Sequence, residues 1–344
     1  MRRIILLILM IGVVIGALYR FSGATGKTVR DSSGKETAYQ SKAAMVDEIN
    51  RQLVKIRRIE QDSGETVMGC RVYSPSETAA LLNLYQAVKW RLDLLNRGKA
   101  ASRSDTWNDY QLERGTNLVA YQPQAVEPVL TALKGRVPEQ VLAGYHIYLS
   151  PDAVSGVSGS GGAGYSIIYA LPEQYQPDED SLRVTLYHEL GHHLHFSYIP
   201  ESINGGGALW REYHQIRGGS WTGAGQANTA AWGKSSEETF AEDFRILFGD
   251  NQPYFNDLAL GDPRAKPEKA ARLRSFMLKL MGGAKVKTYV SPWIPKEGLS
   301  FWLRQAEFIE LQWLLLAVLL GGASRLTDRR SGSYKHGNEG AYTA

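Results

Sequence analysis

Residues His188, Glu189, Leu190, Gly191 and His192 spell H-E-L-G-H. On a helix, positions i and i+4 share one face about one turn apart. Two imidazoles so placed can both reach a single Zn2+ ion at about 2.0–2.1 Å. Glu189 follows the first of them, so its carboxylate stands beside the ion without ligating it. There it can take a proton from a water that the ion activates and carry it to a leaving amine. Such an arrangement would suit metal-assisted hydrolysis of a peptide bond. Leu182, Leu186, Leu190 and Leu194 form an apolar row beneath the motif, and Asp180 or Ser181 offers a cap. Gly191 costs roughly 1 kcal/mol of helix stability against Ala, but its missing side chain lets another element come close to the metal face. A surface helix with incidental histidines would show the same letters.

A zinc peptidase needs a third protein ligand and an open fourth position. The extended motif that supplies a third histidine six residues on is absent, because His195 and Tyr198 occupy the places of its glycine and its histidine. The other source is a Glu from a later helix. Glu237-Glu238-Thr239-Phe240-Ala241-Glu242-Asp243-Phe244 provides one, with Glu238 lying 46 residues after His192. Ser235 or Ser236 caps it, and Phe240, Phe244 and Leu247 give it an apolar face. Glu238 and Glu242 are i and i+4, so both carboxylates face one way. One can bind zinc, and the other can accept the second N–H of a ligand histidine. A solvated acidic helix start would carry the same residues.

HELGH followed by E-x-F-A-E on a later helix resembles the gluzincin zinc peptidases, and within them the anthrax lethal factor and Pro-Pro endopeptidase group. The resemblance covers about residues 138 to 250. It implies an α+β fold with a small twisted sheet, and it points to Glu238 as the ligand, with Glu242 behind it. It also implies that the strand at Tyr165 to Leu171 is the sheet edge lining the cleft, so that Tyr165, Ser166 and Ile167 would bind an extended peptide by main-chain hydrogen bonds. One position departs from the family. A tyrosine usually stands seven residues before the ligand Glu, and this chain has Ala231 there, beside Trp232. Tyr213, His214 and Tyr254 are the candidate oxyanion donors that remain, and the Gly-rich stretch from Gly205 to Gly225 could carry one of them inward.

The elements that must position these residues are legible in part. Met45, Ile49, Leu53, Ile56 and Ile59 predict a helix over about 37 to 60, and Ser76 starts a second one that ends at Gly98. Val67 to Tyr73 reads as a short strand, as do Gly144 to Leu149 and Tyr165 to Leu171. Pro151 to Gly164 reads as a Gly/Ser loop. The expected organisation is a membrane-directing segment (1–22), a linker (23–36), a helical N-terminal region (37–123), a zinc peptidase domain (124–290), a C-terminal apolar helix (291–330) and a disordered tail (331–344). Of the other histidines, His193 and His195 read as surface or outer-shell residues, with His195 a candidate for the cleft wall, and His146 reads as structural. Trp210, Tyr213, Trp221 and Trp232 suit either substrate pockets or core. Cys70 reads as an inert buried thiol.

Composition sets the compartment and excludes some classes. The 344 residues carry 39 Lys and Arg against 35 Asp and Glu, a net charge of +4, too mild for a nucleic-acid partner. A single cysteine excludes an internal disulfide and a Cys-based zinc ribbon. Arg2 and Arg3 precede the apolar run Ile4 to Leu18, which fits either a cleaved secretory signal or an uncleaved anchor; the lack of a clean A-x-A site favours the anchor. Leu311 to Ala323 is a second apolar run, followed by basic residues, and fits a short span or a packed helix equally. The expected protein is a membrane-anchored or secreted, extracytoplasmic endopeptidase with peptide or protein substrates. Two alternatives compete. An intramembrane protease is disfavoured by the charged residues Glu179, Asp180, Arg183 and Glu201 around the motif. A non-catalytic cell-envelope protein with a structural zinc gains weight from the missing tyrosine.

Overall fold

The computed structural model describes residues 27–30, 36–39, 42–96, 112–113, 117–204, 206–218, 235–249, 252–255, 258, 260–285 and 289–295. The apolar runs at 4–18 and 311–323, the tail, Ala231, Trp221 and Trp232 lie outside these residues. Among the described residues no helix is long and apolar enough to cross a membrane.

The chain divides into two units. One comprises Met1–Arg51, Val88–Ser102 and Pro295–Ala344. Its described part holds the antiparallel pair β1 (Lys27–Arg30) and β2 (Glu36–Tyr39), the start of helix α1 (Lys42–Asp62) and the end of helix α2 (Pro75–Asn96). The pair falls largely within the stretch expected to be a linker. Its β-branched Thr28, Val29 and Thr37 favour extended backbone.

The other unit comprises Gln52–Ala87 and Arg103–Ile294 and contains the H-E-L-G-H motif. It is α+β, built on one five-stranded mixed sheet in the order β3-β4-β7-β10-β9. The strands are β3 (Glu65–Val67), β4 (Cys70–Tyr73), β7 (His146–Leu149), β9 (Gly159–Gly162) and β10 (Tyr165–Ile168). Short pairs β5 (Leu112–Glu113) with β8 (Ala153–Val154), and β6 (Leu118–Val119) with β11 (Leu171–Pro172), lie outside it. Small helices α3 (Val126–Thr131) and α4 (Glu139–Leu142) precede β7. Helices α5 (Glu179–Tyr198), α6 (Ala208–Arg217), α7 (Ser236–Phe244) and α8 (Pro267–Gly282) complete the eight described helices.

Three expectations are corrected here. The run Val67 to Tyr73 is a hairpin, not one strand: Val67 faces Cys70 across the two-residue turn Met68-Gly69, and both turn residues have positive φ, at 49° and 83°. That is the signature of the tight turn whose twist matches the flanking strands. The boundary expected near residue 123 does not separate two domains. Strand β4 pairs in parallel with β7, Val72 facing Ile147, so residues from both sides of it build one sheet. The Gly/Ser stretch from Pro151 to Gly164 contains strand β9, paired antiparallel with β10. Four residues of sequence Gly-Ser-Gly-Gly show no side-chain alternation, so no periodicity could reveal it.

The core forms where α5 lies against the sheet. Leu182, Leu186, Leu190 and Leu194 are fully buried, together with Val72, Ile147, Leu149 and Ile168 from the strands. The cap of α5 is Asp178, whose side chain accepts the Ser181 N–H at 2.6 Å; it lies two residues before the first position expected. Helix α7 crosses α5 at Gly191. A Cβ built there would stand 2.5 Å from the Cα of Ala241. No side chain fits, so glycine sets the closest approach of the two helices.

Gly191→Ala is therefore expected to destabilise the protein by about 1–3 kcal/mol, despite alanine's better helix propensity, because α7 must move outward. Thermal unfolding of the metal-free protein would show a Tm several degrees lower; an unchanged Tm would mean that the crossing is not tight.

Candidate metal centre

The crossing brings the two sequence motifs together. Ser235 caps α7 by accepting the N–H groups of Glu237 and Glu238 at 3.2 and 3.3 Å, which starts the helix with its acidic residues toward α5. Glu238 Oε2 lies 3.0 Å from His188 Nε2 and 3.3 Å from His192 Nε2. One ligand atom from each of these three residues falls within 4.8 Å of the others, so the group could hold a metal ion. Donors about 2.0–2.1 Å from a tetrahedral ion stand about 3.3–3.4 Å apart, so this spacing fits one. Both histidines are buried, at 6% and 8% exposure.

Behind His188 stands a chain of buried polar contacts. Glu242 Oε2 lies 3.4 Å from His188 Nδ1 and orients the ring so that Nε2 faces Glu238. Arg245 grips Glu242 with both arms of its guanidinium, Nε to Oε2 at 2.8 Å and a terminal nitrogen to Oε1 at 2.7 Å. The Phe255 N–H donates to Glu242 Oε1 at 2.8 Å, and Arg245 also reaches the Pro253 carbonyl at 2.6 Å. Arg245 and Glu242 are completely buried, and Arg245 opens the π-helical turn Arg245–Gly249 that ends α7. The sequence reading missed Arg245. Its position three residues after Glu242, on one helix face, was the available signal.

The charges are set by proximity. Burial pushes the His188 imidazole down, but the hydrogen bonds it donates to Glu238 and Glu242 outweigh this and raise its pKa to about 10. His192 is also raised, its burial overcome by the charge of Glu238. Glu238 is held well below the usual carboxylate range; burial opposes this, and the His192 charge and both imidazole hydrogen bonds prevail. Glu189 moves the other way, raised by burial against the charges of His192 and His188. It is 5% exposed, and its Oε2 has no hydrogen-bond partner among the described residues. Strand β9 lies across this carboxylate. A Cβ on Gly159 would come within 2.7 Å of Glu189 Oε1, and one on Gly161 within 2.6 Å of Oε2.

Other expected positions are reassigned. Tyr165, Ser166 and Ile167 do not form the sheet edge: β10 is hydrogen-bonded to β7 on one side and β9 on the other, and Ser166 and Ile167 are fully buried. The outermost strand beside α5 is β9. Tyr213 is buried between Trp210, Phe240 and Phe276, and its hydroxyl donates to Asp243 Oδ2 at 2.9 Å. The Tyr254 hydroxyl accepts from Arg217 at 3.1 Å, and Arg217 Nε pairs with Asp243 at 2.9 Å. Burial pushes Asp243 up to about 7, against the pull of Arg217 and Tyr213. Neither tyrosine hydroxyl is directed at the histidine pair. His214, on α6, meets the edge of Trp210. His195 does not line a cleft; it is fully buried and stacked on Trp210. His193 is buried, not at the surface. Its Nδ1 accepts the Gly164 N–H at 2.9 Å, Nε2 stands 3.0 Å from the Val141 carbonyl, and burial pushes its pKa down to about 3. His146 is structural, stacked on Tyr289 at 3.9 Å. Burial raises the Cys70 thiol to about 12, consistent with an inert side chain.

No protein-family model matches the chain, and no curated protein or solved structure matches it either.

Two outcomes follow for metal binding. The His188 pKa is raised to about 10 in the metal-free site, so this imidazole carries a proton there at neutral pH that an ion must displace, and His192 is shifted in the same direction. Affinity should therefore rise with pH, and calorimetry in buffers of differing ionisation enthalpy should detect about one proton or more released per ion at pH 7. Arg245→Met should weaken metal binding by about 10–100-fold while leaving the stoichiometry unchanged, because Glu242 loses the group that holds it against His188. Competition against a fluorescent chelator would measure this, and an unchanged affinity would remove Arg245 from that role.

Proposed function

We propose that this chain is a zinc-dependent endopeptidase related to the gluzincins, acting on peptide or protein substrates on the extracytoplasmic side of a membrane. The observation that carries the proposal is the pairing of three converging ligand atoms with a buried, unligated carboxylate, Glu189, beside the outermost strand of the sheet. Two nitrogens and one carboxylate oxygen are a donor set that suits zinc. His188, His192 and Glu238 would hold the ion. When bound, zinc would act as a Lewis acid, polarising the scissile carbonyl and acidifying a water.

The rest of the chemistry belongs to the protein. Glu189 takes a proton from the attacking water at its carboxylate and returns it to the departing amine nitrogen. Glu242 and Arg245 keep His188 oriented. The main chain of β9 offers the strand to which an extended peptide adds, and its glycines leave no side chain between that peptide and Glu189. The extracytoplasmic placement rests on Arg2 and Arg3 ahead of the apolar run Ile4 to Leu18.

A structural zinc in a non-catalytic envelope protein is the competing proposal, favoured by the engagement of the Tyr213 and Tyr254 hydroxyls elsewhere. A single variant separates the two. Glu189→Gln should retain stoichiometric zinc yet lose about 10²–10⁴ in turnover of a peptide library read by mass spectrometry, and a strong chelator should abolish turnover in the parent protein. Equal cleavage by parent and variant would exclude Glu189 as the base. No zinc-dependent cleavage by either would favour the structural role.

A further inference from the structure

A second buried polar cluster lies on the other face of the sheet. Strand β7 alternates: Ile147 and Leu149 join the core under α5, while His146 and Tyr148 point the opposite way. There Tyr148 meets Glu60 of α1, which is only 9% exposed. Glu60 Oε1 accepts from the hydroxyls of Tyr148 at 3.0 Å, Ser291 at 2.6 Å and Tyr289. The Tyr73 hydroxyl donates to the Glu60 carbonyl at 2.8 Å. Trp293 closes the cluster, fully buried and edge-on to Tyr148 at 5.1 Å.

Two of the three hydroxyls on Glu60 come from the segment after α8. A buried carboxylate is costly unless hydrogen-bonded, and among the described residues removing that segment would leave the Glu60 carboxylate with the Tyr148 hydroxyl as its partner. Burial of Glu60 and docking of the segment therefore depend on each other. The same segment also touches the β9–β10 hairpin. The Val290 N–H donates to the Ala163 carbonyl at 3.2 Å, in the turn of that hairpin. The next residue, Gly164, has φ +86°, and a Cβ there would stand 2.8 Å from the Cα of Tyr289. On its other side Gly164 donates to His193, one residue from the ligand His192. Along the first strand of the hairpin, Gly159 and Gly161 lie on Glu189. The hairpin is thus held between α5 and the segment docked on Glu60.

We propose that Tyr289 to Trp293 form a strap whose docking on Glu60 fixes the β9–β10 hairpin, making Glu60, Tyr289 and Ser291 positioning residues for the substrate strand. The functional half of this proposal rests on the zinc peptidase proposal above; the structural half does not. The test is hydrogen–deuterium exchange of the full chain, parent against Tyr289→Phe/Ser291→Ala, with steady-state kinetics alongside. The hairpin amides should exchange about tenfold faster in the variant while those of α5 and the zinc stoichiometry are unchanged. KM should rise several-fold with kcat much less affected. Should the double variant not fold, Ser291→Ala alone removes one hydroxyl and gives the same readouts. Unchanged exchange in a folded variant overturns the strap, as does equal acceleration in the hairpin and α5. If even the parent cleaves nothing, the peptidase proposal fails, and the exchange result still decides the strap.

Discussion

Helices α5 and α7 meet where Gly191 faces Ala241, with no room for a single added carbon. Everything at the candidate metal centre depends on that contact. His188 and His192 come from one helix, and Glu238 and Glu242 from the other. At this separation Glu238 spans both imidazoles and Glu242 reaches the back of His188. A helix crossing at an ordinary distance of about 8–10 Å, with side chains between, would hold these groups apart.

Burial of so many polar groups is tolerated because they are matched in pairs. Removing one partner of a buried ion pair typically costs about 3–5 kcal/mol, since the other charge stays behind unmatched. Arg245 with Glu242 and Arg217 with Asp243 are two such pairs, and both attach to α7, the helix that bears Glu238. Their value lies less in net stability than in geometry: Arg217 ties Asp243 of α7 to α6, and Arg245 holds the Glu242 carboxylate of its own helix in place while reaching the Pro253 carbonyl. Glu189 is one exception, a buried carboxylate with one oxygen unpartnered among the described residues, and Nδ1 of His192 is another.

Strand β9 solves a different problem. A strand with side chains could not lie over Glu189, because Cβ atoms at residues 159 and 161 would strike its oxygens. Glycine permits the approach at the cost of backbone entropy and of any side-chain packing to hold the strand. Its position is therefore supplied from outside, by hydrogen bonds to β10 and by the contacts of its turn with His193 and the segment at Tyr289.

What the sequence determined by itself was local: the spacing of His188 and His192, the i to i+4 relation of Glu238 and Glu242, the apolar row under the motif and a cap at Ser235 or Ser236. Each follows from helical periodicity, which acts over a few residues. The tertiary structure alone decided what depends on residues far apart in the chain. It made β9 the outermost strand instead of β10, turned Tyr213, Tyr254 and His195 into the core, joined residues 65–73 to the sheet beyond residue 123, and set Arg245 behind Glu242. A strand of glycines has no pattern to read, and an aromatic or charged residue has the same letter whether it lines a cleft or fills a core. Only the packing of distant segments, where burial and hydrogen-bond matching are settled together, distinguishes the two.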